Sequence, residues 1–191
     1  MRRFSVITAL LLLTACFGAA RAAGTPQAEM HQQANQTPAA DGTYPARSTK
    51  GHFSVVMPIP FNDFTVRTED PNIGELVMHM IGAKTTDGFE ISANEMVRTP
   101  RSKDPDLAVM VGGLAKQLGA GVPDVPVETA GDEAFISTVL DGSAQVVHYR
   151  ISKTPASMFT VMCVYPKTPD ISGDTANTIC SDFVKSFKVL R

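Results

Sequence analysis

The chain has 191 residues, with 17 basic and 19 acidic side chains and a formal net charge of −2 at pH 7. A mildly acidic chain without a basic stripe argues against nucleic acid or anionic lipid as the main partner. Its length is sufficient for one domain with a real hydrophobic core after the N-terminal segments are set aside.

The first segment has the pattern of an export signal, because the basic start Met1-Arg2-Arg3 precedes the apolar run 4–13. That run is too short to cross a bilayer as a helix. Leu13-Thr14-Ala15-Cys16 then has the pattern of a lipoprotein cleavage site, in which residues 1–15 are removed and Cys16 carries the lipid. We favour this interpretation, which predicts an exported lipoprotein on the periplasmic face of a bacterial membrane.

An ordinary secretory cleavage site competes with the lipidation site. Ala20-Arg21-Ala22 satisfies the looser small-x-small rule, and cleavage there would remove residues 1–22 as a signal peptide. The product would be soluble in the periplasm or secreted, and Cys16 would be discarded.

Residues 23–50 are rich in Ala, Gln, Thr and Pro and show no apolar periodicity. Such a segment buries too little surface to offset its chain entropy. We therefore expect a disordered linker over 23–50, followed by a single folded domain over 51–191.

The first half of this domain has strand patterns. Apolar residues alternate over 53–57 and the prolines that follow end the strand, while 64–68 predicts a second short strand. Residues 75–97 form two alternating runs separated by Asp87-Gly88, a turn pair that tolerates positive φ. The pattern predicts a β-hairpin.

The second half mixes helices and strands. An apolar stripe at helical spacing predicts a helix over 104–119, and three strands are predicted in series, at 133–140, 145–151 and 158–165. The last strand is apolar on both faces, so we expect it at the centre of the sheet. A final helix is predicted from Ser172 to the C-terminus. The expected class is α+β, an antiparallel β-sheet with helices packed on its faces.

Two cysteines remain in the domain after Cys16 is set aside. Cys163 lies on the predicted central strand, and Cys180 lies on the apolar face of the final helix. A disulfide between them is the interpretation we favour, because disulfides persist in exported proteins. Two buried free thiols and a two-cysteine metal site are the alternatives.

Met78-His79-Met80 is the sharpest chemical hint, because thioether and imidazole ligands suit copper. In a strand, however, successive side chains point to opposite faces, so the two methionines would lie opposite His79. We therefore favour core methionines and a hydrogen-bonded histidine. The sequence predicts no catalytic, cofactor-binding or metal-binding residue.

The order of elements resembles the PsbP-like fold, which small bacterial envelope lipoproteins similar to DcrB share. The segments FSVVMPIPF at 53–61 and SDFVKSFKVL at 181–190 carry the resemblance. Both are loose hydrophobic patterns, and the fold implies no single activity.

We expect a non-enzymatic cell-envelope protein, an interaction or accessory module held at a membrane by its N-terminal lipid. Its partner would be another envelope protein, with no cofactor and no nucleic acid. The alternative function is a periplasmic protein that binds a small ligand or a metal.

Overall fold

The computed structural model describes residues 25–71, 74–101, 104, 106–110, 127–140, 145–166 and 173–190. The strands are β1 Gln27–Gln32, β2 Tyr44–Arg47, β3 Phe53–Met57, β4 Asn62–Asp70, β5 Gly74–Lys84, β6 Glu90–Val97, β7 Val127–Ala130, β8 Glu133–Leu140, β9 Gln145–Lys153, β10 Ser157–Pro166 and β11 Lys188–Val189. A helix, α1, spans Gly173–Ser186, and residues 107–110 are also helical. Within these ranges, no helix has the length and apolar character needed to cross a membrane.

The strands form two antiparallel sheets. The large sheet has eight strands in the order β1-β4-β5-β6-β10-β9-β8-β7, and the small sheet has three in the order β11-β3-β2. The β5–β6 hairpin forms as predicted, with Gly88 at a φ of +98° in its turn. β10 lies between β6 and β9, which confirms the central strand.

The main core lies between the large sheet and a cover made by the small sheet and α1. We call the covered side of the large sheet its inner face. Phe53, Val55 and Met57 of β3 meet the large sheet there, as alternation predicted. α1 contributes Ala176, Cys180 and Phe183 to this core. These residues lie on the apolar helix face that the spacing of the sequence predicts.

The opposite, outer face of the large sheet holds two further apolar clusters. One contains Ile136, Tyr149, Ile151 and Met158, with Leu107 of the helical segment packed on it. The other is smaller and contains Val66, Met78 and Met80.

The expected α+β class is wrong. Strands make up 54% of the structure and helices 14%, so the fold is mainly β. The extra strands β1, β2, β7 and β11 come from short segments without clear apolar alternation, where hydrogen bonding to a neighbouring strand decides the conformation.

The disordered linker expected over 23–50 is corrected in its described part. β1 pairs with β4 and β2 pairs with β3, so both segments belong to the sheets. The final helix also ends earlier than expected, since β11 follows α1 and pairs with β3. Residues 1–24, most of the predicted 104–119 helix and the start of the final helix at Ser172 lie outside the described residues.

Candidate functional site: a histidine–carboxylate cluster

Polar side chains gather at one end of the inner face, beside the main core. The register places Thr65 of β4 opposite His79 of β5, and His79 opposite Glu95 of β6. Two residues further along their strands, Ile81 and Ala93 are fully buried in the main core. The cluster therefore forms where the apolar inner face meets the loop at 48–52, which connects β2 to β3.

Glu95 is almost fully buried, with 1% of its surface exposed. Among the charged side chains of this cluster, only Asp63 is more deeply buried. Glu95 accepts a 2.5 Å hydrogen bond at Oε2 from the backbone N–H of His52. Its Oε1 lies 2.5 Å from the hydroxyl of Ser157, which donates to it, and 3.2 Å from His52 Nδ1. Both carboxylate oxygens are thus bound within the protein, as a buried charge requires.

Asp63 holds the other end of the 48–52 loop. Its side chain is fully buried, and its Oδ2 accepts a hydrogen bond from the backbone N–H of Thr49 at 2.6 Å. The Ser48 hydroxyl lies 3.5 Å from Oδ1 and also accepts from the N–H of Gly51. Two carboxylates on the large sheet therefore bind the loop that leads into β3.

Gly51 lies directly over the cluster. A Cβ atom at this position would lie 3.0 Å from Glu95 Oε2 and 3.0 Å from His79 Cβ, and closer still to the ring of Phe53. The absent side chain lets the loop approach the sheet closely enough for these hydrogen bonds.

Two histidines share the hydroxyl of Thr65. His79 Nδ1 lies 2.9 Å from Thr65 Oγ1, and His31 Nε2 lies 2.8 Å from the same oxygen. His31 is directed inward by the irregularity in the β1–β4 pairing between Met30 and Gln32. Burial lowers the pKa of His79, an effect that the charge of Glu95 partly offsets.

The arrangement acts as a clamp. Its hydrogen bonds tie β1 and the 48–52 loop to β4, β5 and β6. The polar atoms that form these bonds are therefore paired with other atoms of the protein. Within the part of the chain that the structure describes, no group of three His, Cys, Asp or Glu side chains is placed to hold a metal ion.

The fourth histidine, His148, links the large sheet to α1. Asn177 Oδ1 lies 2.7 Å from His148 Nε2, and burial lowers the pKa of this imidazole. Ser137 Oγ lies 3.1 Å from Nδ1 and 3.4 Å from Nε2, so the hydroxyl is not aligned with one ring nitrogen. The three residues thus link β8 and β9 of the large sheet to α1.

An open pocket of about 440 Å³ lies near the helical segment. Four of its eight lining residues are acidic, among them Asp104, Asp132 and Glu133, and Lys153 is the basic one. Asp104 pairs with Lys153 at 2.9 Å, and that hydrogen bond is the main reason that the pKa of its carboxyl is lowered. The charges of Asp104 and Lys153 are thus paired with each other, and Glu133 pairs with Arg150.

The cysteine pair is placed as predicted. Cys163 of β10 and Cys180 of α1 lie at disulfide-bonding distance, with Cα atoms 5.3 Å apart. The lipid attachment residue Cys16 lies outside the described residues.

Met78 and Met80 lie on the outer face, and His79 lies on the inner face in the cluster. The strand alternation predicted this separation. The sequence did not reveal that His31, His52 and His79 converge, because each comes from a different segment and no local spacing connects them.

Comparisons with known proteins identify no relative. No family model matches the chain, and neither a curated protein nor a solved structure is significantly similar to it. The resemblance to PsbP-like proteins stays a prediction.

Proposed function

We propose that this chain is a non-enzymatic protein of the bacterial cell envelope, anchored through a lipid on Cys16, that acts as an interaction module for another envelope protein. The observation that carries the proposal is the exposed edge strand β1. β1 pairs with β4 on one side, and no described strand pairs with its other side. An open strand edge is a template for a strand from a partner.

The side chains of β1 fit such a role. Five of its six residues are exposed, and Met30 is 51% exposed although it is large and apolar. His31 is the remaining residue, and its hydrogen bond to Thr65 anchors β1 to β4. A strand already ordered by its pairing with β4 loses less conformational entropy when a partner adds to it than a disordered segment does.

The position of β1 along the chain supports an envelope partner. Only a short stretch separates Cys16 from Gln27, so an acylated Cys16 would keep this edge near the membrane surface. A partner that adds a strand to β1 would itself be located in the envelope. In this proposal the lipid on Cys16 holds the protein at the membrane, and the exposed edge of β1 binds the partner there.

Site-specific photocrosslinking in native envelopes tests the proposal. We expect a photoreactive residue at Met30 to give a discrete protein adduct, identified by mass spectrometry, and one at Val109 to give none. Val109 is the matched control because it is apolar and 70% exposed but lies outside the sheet edge. Absence of an adduct from Met30, or the same adducts from both positions, would contradict the proposal.

The anchor is tested separately by cell fractionation. A lipid on Cys16 adds membrane affinity through its buried methylenes, so Cys16→Ser should move the protein from the membrane to the soluble fraction. An unmodified N-terminus at Ala23 in the native protein would contradict lipidation.

A second candidate function, metal binding, is favoured by one observation. Met78 is not an isolated thioether, because the register of the large sheet places other methionines beside it on the outer face.

A further inference from the structure

Three methionines lie side by side across neighbouring strands of the outer face. Met78 of β5 is directly opposite Met96 of β6, and Met96 is directly opposite Met158 of β10. Directly opposed residues of antiparallel strands have Cβ atoms about 4.5–5.5 Å apart. The register thus forms one row of three thioethers, which we call the methionine row.

The methionine row is mostly buried, with apolar neighbours beside Met78 and a lysine at its other end, where Lys153 of β9 is opposite Met158. Met78 is 8% exposed and packs with Val66 and Met80, while Met158 is 2% exposed. Met96 is half-buried and packs at the edge of the cluster that contains Met158. The central methionine is therefore the one that solvent can reach.

Thioether sulfur is a soft, neutral ligand that selects Cu(I) over the harder divalent cations. The side chain of methionine is unbranched and has three rotatable bonds, so its sulfur can move without displacing the backbone. The two outer side chains of the row can lean toward the middle one. One ion above Met96 is then within reach of all three sulfur atoms.

We propose that Met78, Met96 and Met158 bind one Cu(I) ion on the outer face of the large sheet. The inference rests on the second candidate function, metal binding, and is independent of strand addition at β1. His79 takes no part, since its ring lies on the inner face and bonds to Thr65. Of the Met78-His79-Met80 segment that suggested copper binding, only Met78 is a ligand in the proposed site.

The competing explanation is that the methionines only fill the core. Leucine distinguishes the two explanations, because it has nearly the volume of methionine and keeps the apolar packing but has no sulfur. Met162 is the matched control, since it lies on β10 and the outer face, is 7% exposed, and is opposite Ser92 rather than a methionine.

The experiment titrates Cu(I), supplied as its acetonitrile complex under nitrogen, into the full chain against a chromogenic Cu(I) chelator. Every variant carries Cys16→Ser and the intact Cys163–Cys180 disulfide, so that no thiol contributes. We expect one equivalent to bind, and Met96→Leu and the triple leucine variant to weaken binding by at least about tenfold. Met162→Leu should bind as tightly as its parent.

Two further measurements complete the test. Circular dichroism establishes that each variant is folded, and the half-buried position of Met96 makes its single variant the safest. X-ray absorption of the copper-loaded protein should show sulfur neighbours. No binding, unchanged binding in the triple variant, equal loss in Met162→Leu, or a copper site without sulfur would each overturn the proposal. None of these results would affect crosslinking at Met30, so failure of the metal site and failure of the interaction module are distinguishable.

Discussion

His52 and Glu95 are joined twice, by a 2.5 Å hydrogen bond from the backbone N–H of His52 and by a 3.2 Å contact between His52 Nδ1 and Oε1. The two residues differ sharply in exposure, since the His52 side chain is 70% exposed and that of Glu95 is 1% exposed. A buried carboxylate on β6 thus fixes the backbone of the 48–52 loop, while the side chain of His52 faces solvent. The stability of the small sheet should depend on this contact.

Glu95→Ala should lower the free energy of unfolding by about 2–4 kcal/mol, because it leaves the donors of His52 and Ser157 without their acceptor. Urea denaturation measures the change. Glu75→Ala is the matched control, since Glu75 lies on the adjacent strand, is 52% exposed and pairs with Arg67 at the surface. Its loss should stay below about 1 kcal/mol, and equal losses at the two positions would contradict the clamp.

The stability of the protein should fall as the pH drops below neutrality. Burial lowers the pKa values of His79 and His148 below the ordinary value of 6.5, so the unfolded chain takes up these protons first. The free energy of unfolding is therefore unaffected by these groups above about pH 6.5 and decreases as the pH falls through their folded-state pKa values.

Urea denaturation between about pH 7.5 and about pH 5 checks this prediction, because most carboxyl groups titrate below that window. His79→Gln and His148→Gln should each remove part of the pH dependence, and the double variant should remove more of it than either single variant. A double variant as steep as the natural protein would show that other groups cause the effect.

His31 should control the local stability of β1, since it is the strand's one residue that is not exposed. His31→Ala should remove about 1–2 kcal/mol of local stability and raise hydrogen exchange of the β1 amides by about tenfold. Gln27→Ala is the matched control on the same strand, because Gln27 is exposed and does not contact His31. If both variants exchange alike, the bond to Thr65 does not anchor the strand.

Removal of the disulfide should destabilise the fold. Cys163 and Cys180 are separated by 17 residues, and the chain-entropy account gives a crosslink of this size about 3 kcal/mol. Cys163→Ala with Cys180→Ala should lose about that amount in chemical denaturation. Cys16→Ser serves as the control and should leave unfolding of the domain unchanged. Two free thiols from the domain, titrated in unreduced, denatured protein, would contradict the crosslink.

Several elements could be predicted because buried side chains recur at a fixed spacing along a strand or a helix. That spacing is visible in the sequence of the one segment. The alternation in 53–57 placed Phe53, Val55 and Met57 in the core, and helical spacing placed Cys180 with Ala176 and Phe183. The same alternation places His79 and Met78 on opposite faces of their strand. These predictions need only the geometry of one strand or one helix.

Tertiary structure decided what depends on two distant segments. β1 has a polar sequence and becomes a strand because β4 offers it a hydrogen-bonding edge, which turned an expected linker into part of a mainly β fold. The histidine–carboxylate cluster and the methionine row likewise arise from register, because the pairing of β5 with β6 sets His79 beside Glu95 on one face and Met78 beside Met96 on the other. Local periodicity determines which face a side chain takes, whereas strand pairing alone determines which residue lies beside it.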